Sequence, residues 1–146
     1  MFLIICIGVL VICFNVVLQS ITTVYSLKYL HRFNSKRNKV SIKEVLVQMS
    51  LSISFLTLLH GLQCIIWACV FYFNPAIDNL YNFNEALYFS LVTFTTVGYG
   101  DVVIETEWKL LAGLEAINGI MMVGWSTALM FSYLKVILKK NISNKD

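Results

Sequence analysis

The string Thr95-Thr96-Val97-Gly98-Tyr99-Gly100-Asp101 carries the most specific chemistry in this sequence. Glycine alternates with larger residues there, and glycine tolerates positive φ, so every second position can turn freely. Gly-Tyr-Gly-Asp alone also reads as a tight turn between helices, but a turn explains neither the two threonines before it nor the short helix that presents it. Side-chain catalysis has little to work with. The histidines are His31 and His60, no carboxylates pair inside the apolar runs, and no serine has a placed base. Cys6, Cys13, Cys64 and Cys69 lack metal-ligand spacing and read as small apolar residues, so no redox role, no cofactor and no enzyme activity is expected.

The elements that must position this string are set by lipid. The chain has 146 residues, 58% hydrophobic and 13% charged, whereas soluble domains run about 45–50% apolar and about 25% charged. The formal net charge of +3 lies in clusters between apolar runs, so a nucleic-acid partner is not expected. A bilayer core about 30 Å thick needs about 20 apolar residues per helix. Three runs qualify: Phe2 to Leu27, Val45 to Phe73 and Leu110 to Leu134. The first lacks the basic lead and small-residue cleavage site of a signal peptide and is expected to be a retained span. A fourth segment, Asn84 to Thr95, is too short to cross and is expected to be a re-entrant helix, capped by Asn82 or Asn84 with Glu85 in its first turn. Lys28, Arg32, Lys36, Arg37, Lys39 and Lys43 follow the first span, and Lys135, Lys139, Lys140 and Lys145 follow the third. The stretch between the second and third spans is acidic: Asp78, Glu85, Asp101, Glu105 and Glu107 against Lys109. Basic loops belong in the cytoplasm. The N-terminus is therefore expected outside and the C-terminus inside a cell membrane, with Asn141-Ile142-Ser143 on the wrong side for glycosylation.

The heptapeptide resembles the selectivity filter of potassium channels, closely from Thr93 to Asp101 and loosely over the helix, re-entrant loop and helix from Val45 to Leu138. The resemblance implies an all-α membrane protein of the two-helix pore-loop family with one extra N-terminal span. The expected divisions are a first transmembrane helix at 1–27, a basic cytoplasmic loop at 28–44, a pore domain at 45–138 and a short tail at 139–146. Within the pore domain they are an outer helix at 45–73, a pore helix at 84–95, a filter at 96–101 and an inner helix at 109–138. From the tail no gating by an attached ligand-binding domain is expected.

The resemblance also implies the site. The carbonyls of Thr96, Val97, Gly98 and Tyr99, with the Thr96 hydroxyl, would replace the water shell of a dehydrated K⁺, the permeant ion. Val97 and Tyr99 would point away from the pore. One strand supplies a quarter of each carbonyl ring, which implies a homotetramer. Gly100 completes the filter, with Thr95, Asp101, Tyr88, Phe89 and Val92 as its support. Other readings are a weakly selective cation channel, against which Tyr99 argues, and a non-conducting regulatory subunit, against which the intact string argues.

The sequence departs from the family pattern behind the filter. Many members carry two tryptophans where this chain has Tyr88 and Phe89. Tyr88 keeps a hydroxyl able to reach Asp101, and Phe89 keeps a ring able to pack near Tyr99. Val92 stands where some bacterial members place a Glu. In the third span Gly119 and Gly124 read equally as gating hinges or as close-packing sites, and Thr127, Ala128 and Phe131 below them are candidates for the inner mouth. His60, Gln63, Glu115 and Asn118 are polar inside spans and read as interhelical hydrogen bonding or as a titratable gate. Asn15, Gln19, Thr23 and Ser26, with Thr22 alongside, stripe the first span, which without Lys or Arg is no voltage sensor. The stripe is expected to face the second span or a neighbouring subunit. The basic loop is a candidate for contact with anionic lipid.

Overall fold

The computed structural model describes residues 1–35, 41–77 and 80–142. Lys36, Arg37, Lys39, Asp78, Ser143 and Lys145 lie outside the described residues. Among those described there are four helices and no strand: α1 (Phe2–Ser35), α2 (Ile42–Tyr72), α3 (Phe83–Phe94) and α4 (Lys109–Ile142). Three of them are long and apolar enough to cross a membrane. The protein is thus an all-α, multi-pass membrane protein.

Helix ends follow local chemistry. Ser41 caps α2 in a reciprocal box, its amide donating to Glu44 Oε2 at 3.1 Å. α2 stops ahead of the single proline, Pro75, where Asn74 Oδ1 accepts from the Ala76 amide at 3.1 Å to close a turn. Asn82, not Asn84, caps α3: its Oδ1 accepts from the Glu85 amide at 2.9 Å, and Glu85 Oε2 accepts from the Tyr81 amide at 2.8 Å. α1 runs on to Ser35, so the first part of the stretch assigned to a basic loop is helical. Beyond the apolar span Lys28 and Arg32 cost nothing in water, and both are good helix formers. α2 likewise begins at Ile42, three residues earlier than the apolar run.

At 1.5 Å per residue, α3 is about 18 Å long and cannot cross a bilayer; it is wedged between α2 and α4. Trp67 and Phe71 of α2, Phe94 of α3 and Leu111 and Met122 of α4 are almost fully buried around it. Phe71 meets Phe89 edge to face, ring centroids 5.1 Å apart, a favoured geometry for aromatic pairs.

α1 is fastened to this core through its polar stripe. Asn15 and Gln19 are fully buried. Asn15 Nδ2 donates to Asn118 Oδ1 of α4 at 2.9 Å, and Trp67 Nε1 of α2 donates to the same oxygen at 3.1 Å. The stripe therefore faces α4 as well as α2, within one chain. Asn118→Leu would strand two buried donors. It should lower stability by about 1–3 kcal/mol per stranded group, read as a lower thermal unfolding midpoint of the detergent-solubilised protein.

Candidate functional site

The backbone after α3 leaves the right-handed helical region at Thr96. Thr95 ends the helix, its hydroxyl donating to the Leu91 carbonyl at 2.6 Å. Then Thr96, Gly98 and Gly100 have φ of +59°, +59° and +77°, while Val97 and Tyr99 between them stay on the negative side. Alternation of this kind belongs to neither helix nor strand. The amides are used locally. Val97 and Gly98 both donate to the Val92 carbonyl, at 3.0 and 3.3 Å, and Thr96 donates to the Thr93 carbonyl at 2.9 Å. Among the described residues no donor reaches the carbonyls of Thr96, Val97, Gly98 or Tyr99. Val92 thus supports the loop with its backbone oxygen.

Thr96 was legible as a filter residue, but its positive φ was not. A β-branched residue at positive φ is a rare, strained conformation, and strain of that kind, worth about 1–3 kcal/mol, is held where a site requires it. Nothing in its residue type signals this; only its even spacing from Gly98 and Gly100 does.

At the outer end of the loop the Tyr88 hydroxyl donates to Asp101 Oδ2 at 2.7 Å, and Asp101 Oδ1 accepts from the Val102 amide at 3.1 Å. The Tyr88 hydrogen bond holds the Asp101 carboxyl below the usual aspartate range and raises the Tyr88 hydroxyl in turn. A lowered carboxylate pKa means that the tie is complete above the ordinary aspartate range and is lost as pH falls through the lowered value. Tyr88→Phe should loosen the outer end, with a changed inactivation rate and open lifetime in single-channel recordings. Identical kinetics would show that the contact does not brace the loop. Phe89, with a ring able to pack near Tyr99, has an aromatic partner in the core of its own chain. Its ring turns into the core against Phe71, because on a short helix wedged against α2 the position after Tyr88 faces inward.

The back of α3 is tied to both flanking helices. Ser90 Oγ hydrogen-bonds the Glu115 carboxyl of α4 and the Cys64 carbonyl of α2, the latter at 2.8 Å. Glu115 therefore meets α3, while Asn118 on the same face meets Asn15 and Trp67. His60 and Gln63 bond neither Glu115 nor Asn118, although Gln63 Nε2 reaches the Asn15 carbonyl at 3.5 Å. Gln19 Nε2 donates to Ser126 Oγ at 3.0 Å, Ser126 Oγ lies 3.0 Å from His60 Nε2, His60 Nδ1 lies 2.9 Å from Gln63 Oε1, and Gln63 Nε2 donates to Gln19 Oε1 at 3.4 Å. These bonds close a ring across α1, α4 and α2 when the His60 proton sits on Nδ1. Ser90, Ser126 and Trp67 were not singled out from sequence. Their signal was the one applied to His60: a polar group in an apolar helix needs a partner.

Gly119 lies directly against the end of α3. A Cβ built there would stand 1.9 Å from the Phe94 carbonyl oxygen, whereas one at Gly124 would meet nothing within 4 Å. Thr127, Ala128 and Phe131 are exposed on α4, and Lys135 Nζ sits 4.8 Å from the centre of the Phe131 ring.

Two spans bracketing a short re-entrant helix, whose end leads into a run of carbonyls without a donor among the described residues, form the frame of a membrane pore. The chain belongs to the ion channel family, whose model matches residues 52–136, more than half of its length. Among curated relatives it is 43% identical over 58 residues to a hyperpolarization-activated voltage-gated potassium channel of Methanocaldococcus jannaschii, covering 38% of this chain and 26% of that one. It is 37% identical over 62 residues to the calcium-gated potassium channel TvoK of Thermoplasma volcanium, covering 42% of this chain and 18% of that one. To the potassium voltage-gated channel protein Shal of Drosophila melanogaster it is 29% identical over 93 residues, 61% of this chain and 16% of that one. The chain thus spans about a quarter or less of the length of these relatives. No solved structure matches it.

Proposed function

We propose that four copies of this chain surround one axis and pass K⁺ down its electrochemical gradient through a filter built from residues 96–100. The observation that carries the reading is the run of carbonyls from Thr96 to Tyr99, which have no donor among the described residues while the neighbouring amides are held by Val92. A K⁺ ion shedding its water needs such oxygens on all sides, and one chain offers them on one side only. Val97 and Tyr99 are 53% and 71% exposed in the single chain. Apolar side chains of that size beside the filter call for cover, and neighbouring copies would supply it. The C-terminus of α3 ends at this loop, so its partly negative end favours a cation there. Glu105, Glu107 and Asp101 at the rim attract cations further. Gly119 and Gly124 bear on how the inner helix moves, and the names of the relatives point to the same ion.

In this reading the N-terminus lies outside and the C-terminus in the cytoplasm, with Lys28, Arg32 and Lys43 against the anionic face of the cell membrane. The test is reconstitution of the purified chain in vesicles, with its mass measured in mild detergent. A fourfold assembly with barium-blocked K⁺ uptake and little Na⁺ uptake supports the proposal. Equal uptake of both ions points to a weakly selective cation channel, no uptake points to a regulatory subunit, and a monomer or trimer removes the ring geometry.

A further inference from the structure

The basic end of the molecule contains a second feature, remote from the filter. A groove with a volume of about 800 Å³ opens between α1, α2 and α4. It begins where the polar ring ends. Gln19, His60, Gln63 and Ser126 hold the three helices together, and the lining starts at Ile21, Leu56 and Leu129, beyond which α1 and α2 part. The floor is buried and apolar, made by Leu30, Leu56, Leu129 and Tyr133. The mouth is lined by Tyr25, Leu51 and Phe55, which are 70%, 67% and 52% exposed. Along α2 the lining runs from Lys43 to Leu56, about 20 Å at 1.5 Å per residue. One leaflet's share of a hydrocarbon core is about 15 Å, so the groove runs the depth of a leaflet.

Its charged groups lie at the basic end, and the small polar side chains of Thr22, Ser26 and Ser52 lie deeper along it. Lys43 lines the groove, and Lys28 and Arg32 are exposed on α1 at the same end. Glu44, also in the lining, has its carboxylate on the Ser41 amide in the α2 cap. Deeper by little more than a helical turn, Gln48 lines the groove with its Oε1 buried and without a donor among the described residues. A ligand that fits this order has a long apolar chain, a polar region at the depth of Gln48, and negative charge at Lys43.

We infer that the groove between α1, α2 and α4 is a binding site for one anionic phospholipid. Its acyl chain lies along Leu51, Phe55 and Tyr25, and its phosphate lies beside Lys43. The site goes beyond the pore reading and stands without it. Because Leu129 and Tyr133 belong to α4, an occupant of the groove also bears on the helix that would line the pore.

The test uses the full chain, delipidated in mild detergent and titrated with phosphatidylglycerol or phosphatidylcholine, with bound lipid counted by native mass spectrometry. Phosphatidylglycerol should be retained in preference to phosphatidylcholine. Lys43→Gln should cut its retention by about fivefold, the worth of one basic residue beside an anionic headgroup. Leu51→Trp, which fills the groove, should remove retention of both lipids while helicity is unchanged. Equal retention of the two lipids, or retention unaffected by Lys43→Gln, overturns the inference. A change in subunit number on Leu51→Trp overturns it too, since the groove would then hold a second copy of the chain. Lys43 is exposed, so Lys43→Gln remains informative even if Leu51→Trp fails to fold.

Discussion

Gly119→Ala should destabilise the protein and silence it, although alanine is the better helix former by about 1 kcal/mol. The added carbon would stand 1.9 Å from the Phe94 carbonyl oxygen and 2.7 Å from the carbonyl carbon. Both are backbone atoms and cannot rotate aside, so α4 would have to withdraw from the end of α3 by more than an ångström. Overpacking of this kind costs about 1–3 kcal/mol. Phe94 directly precedes Thr95 and Thr96, so any retreat of α4 also loosens the base of the filter. Gly124→Ala is the internal comparison. With nothing within 4 Å of its added carbon, it should be neutral, or stabilising by up to about 1 kcal/mol. The pair separates the two uses of glycine in a membrane helix. A thermal midpoint that falls for Gly119→Ala and holds for Gly124→Ala marks Gly119 as a packing site. Equal midpoints, with altered gating alone, would mark it as a hinge.

Gly98→Ala should abolish ion flux while leaving the helices in place. Here the added carbon meets nothing within 4 Å in the single chain, so the penalty is one of backbone conformation. Gly98 sits at φ +59°, where an L-residue costs roughly 1–2 kcal/mol. Returning φ to the negative side relieves that cost by rotating a peptide plane, which takes a carbonyl out of the run. Thr96 already bears such strain at the same φ, so a second strained position in every copy should tip the loop into a collapsed form. Circular dichroism should match the wild type while K⁺ uptake falls to background. Wild-type uptake would show that the positive φ at Gly98 is not needed for conduction.

The spans, the short helix and the filter string were legible because each rests on a local pattern: apolar length, a capping asparagine ahead of Glu85, and glycines at alternate positions. What escaped depends on how helices cross. Glu115 and Asn118 share a face, yet one reaches Ser90 of α3 and the other reaches Asn15 and Trp67. Spacing along one helix cannot say which neighbour lies opposite. Phe89 and Tyr88 are adjacent, and which of them turns outward is fixed by the rotation of α3 against α2. The helical stretch through Lys28 and Arg32 was hidden because apolar length marks where lipid ends, and a helix can continue past that point. The positive φ of Thr96 runs against its residue type and follows from the carbonyl run as a whole.

The central claim concerns ion dehydration by backbone oxygens, and its most direct measurement is the reversal potential of a planar bilayer holding the purified chain between K⁺ and Na⁺ solutions of equal concentration. A filter of the proposed kind should give a reversal potential displaced toward K⁺ by well over about 59 mV, the equivalent of a tenfold permeability ratio for a monovalent ion. A reversal potential near zero, with current flowing, would contradict it.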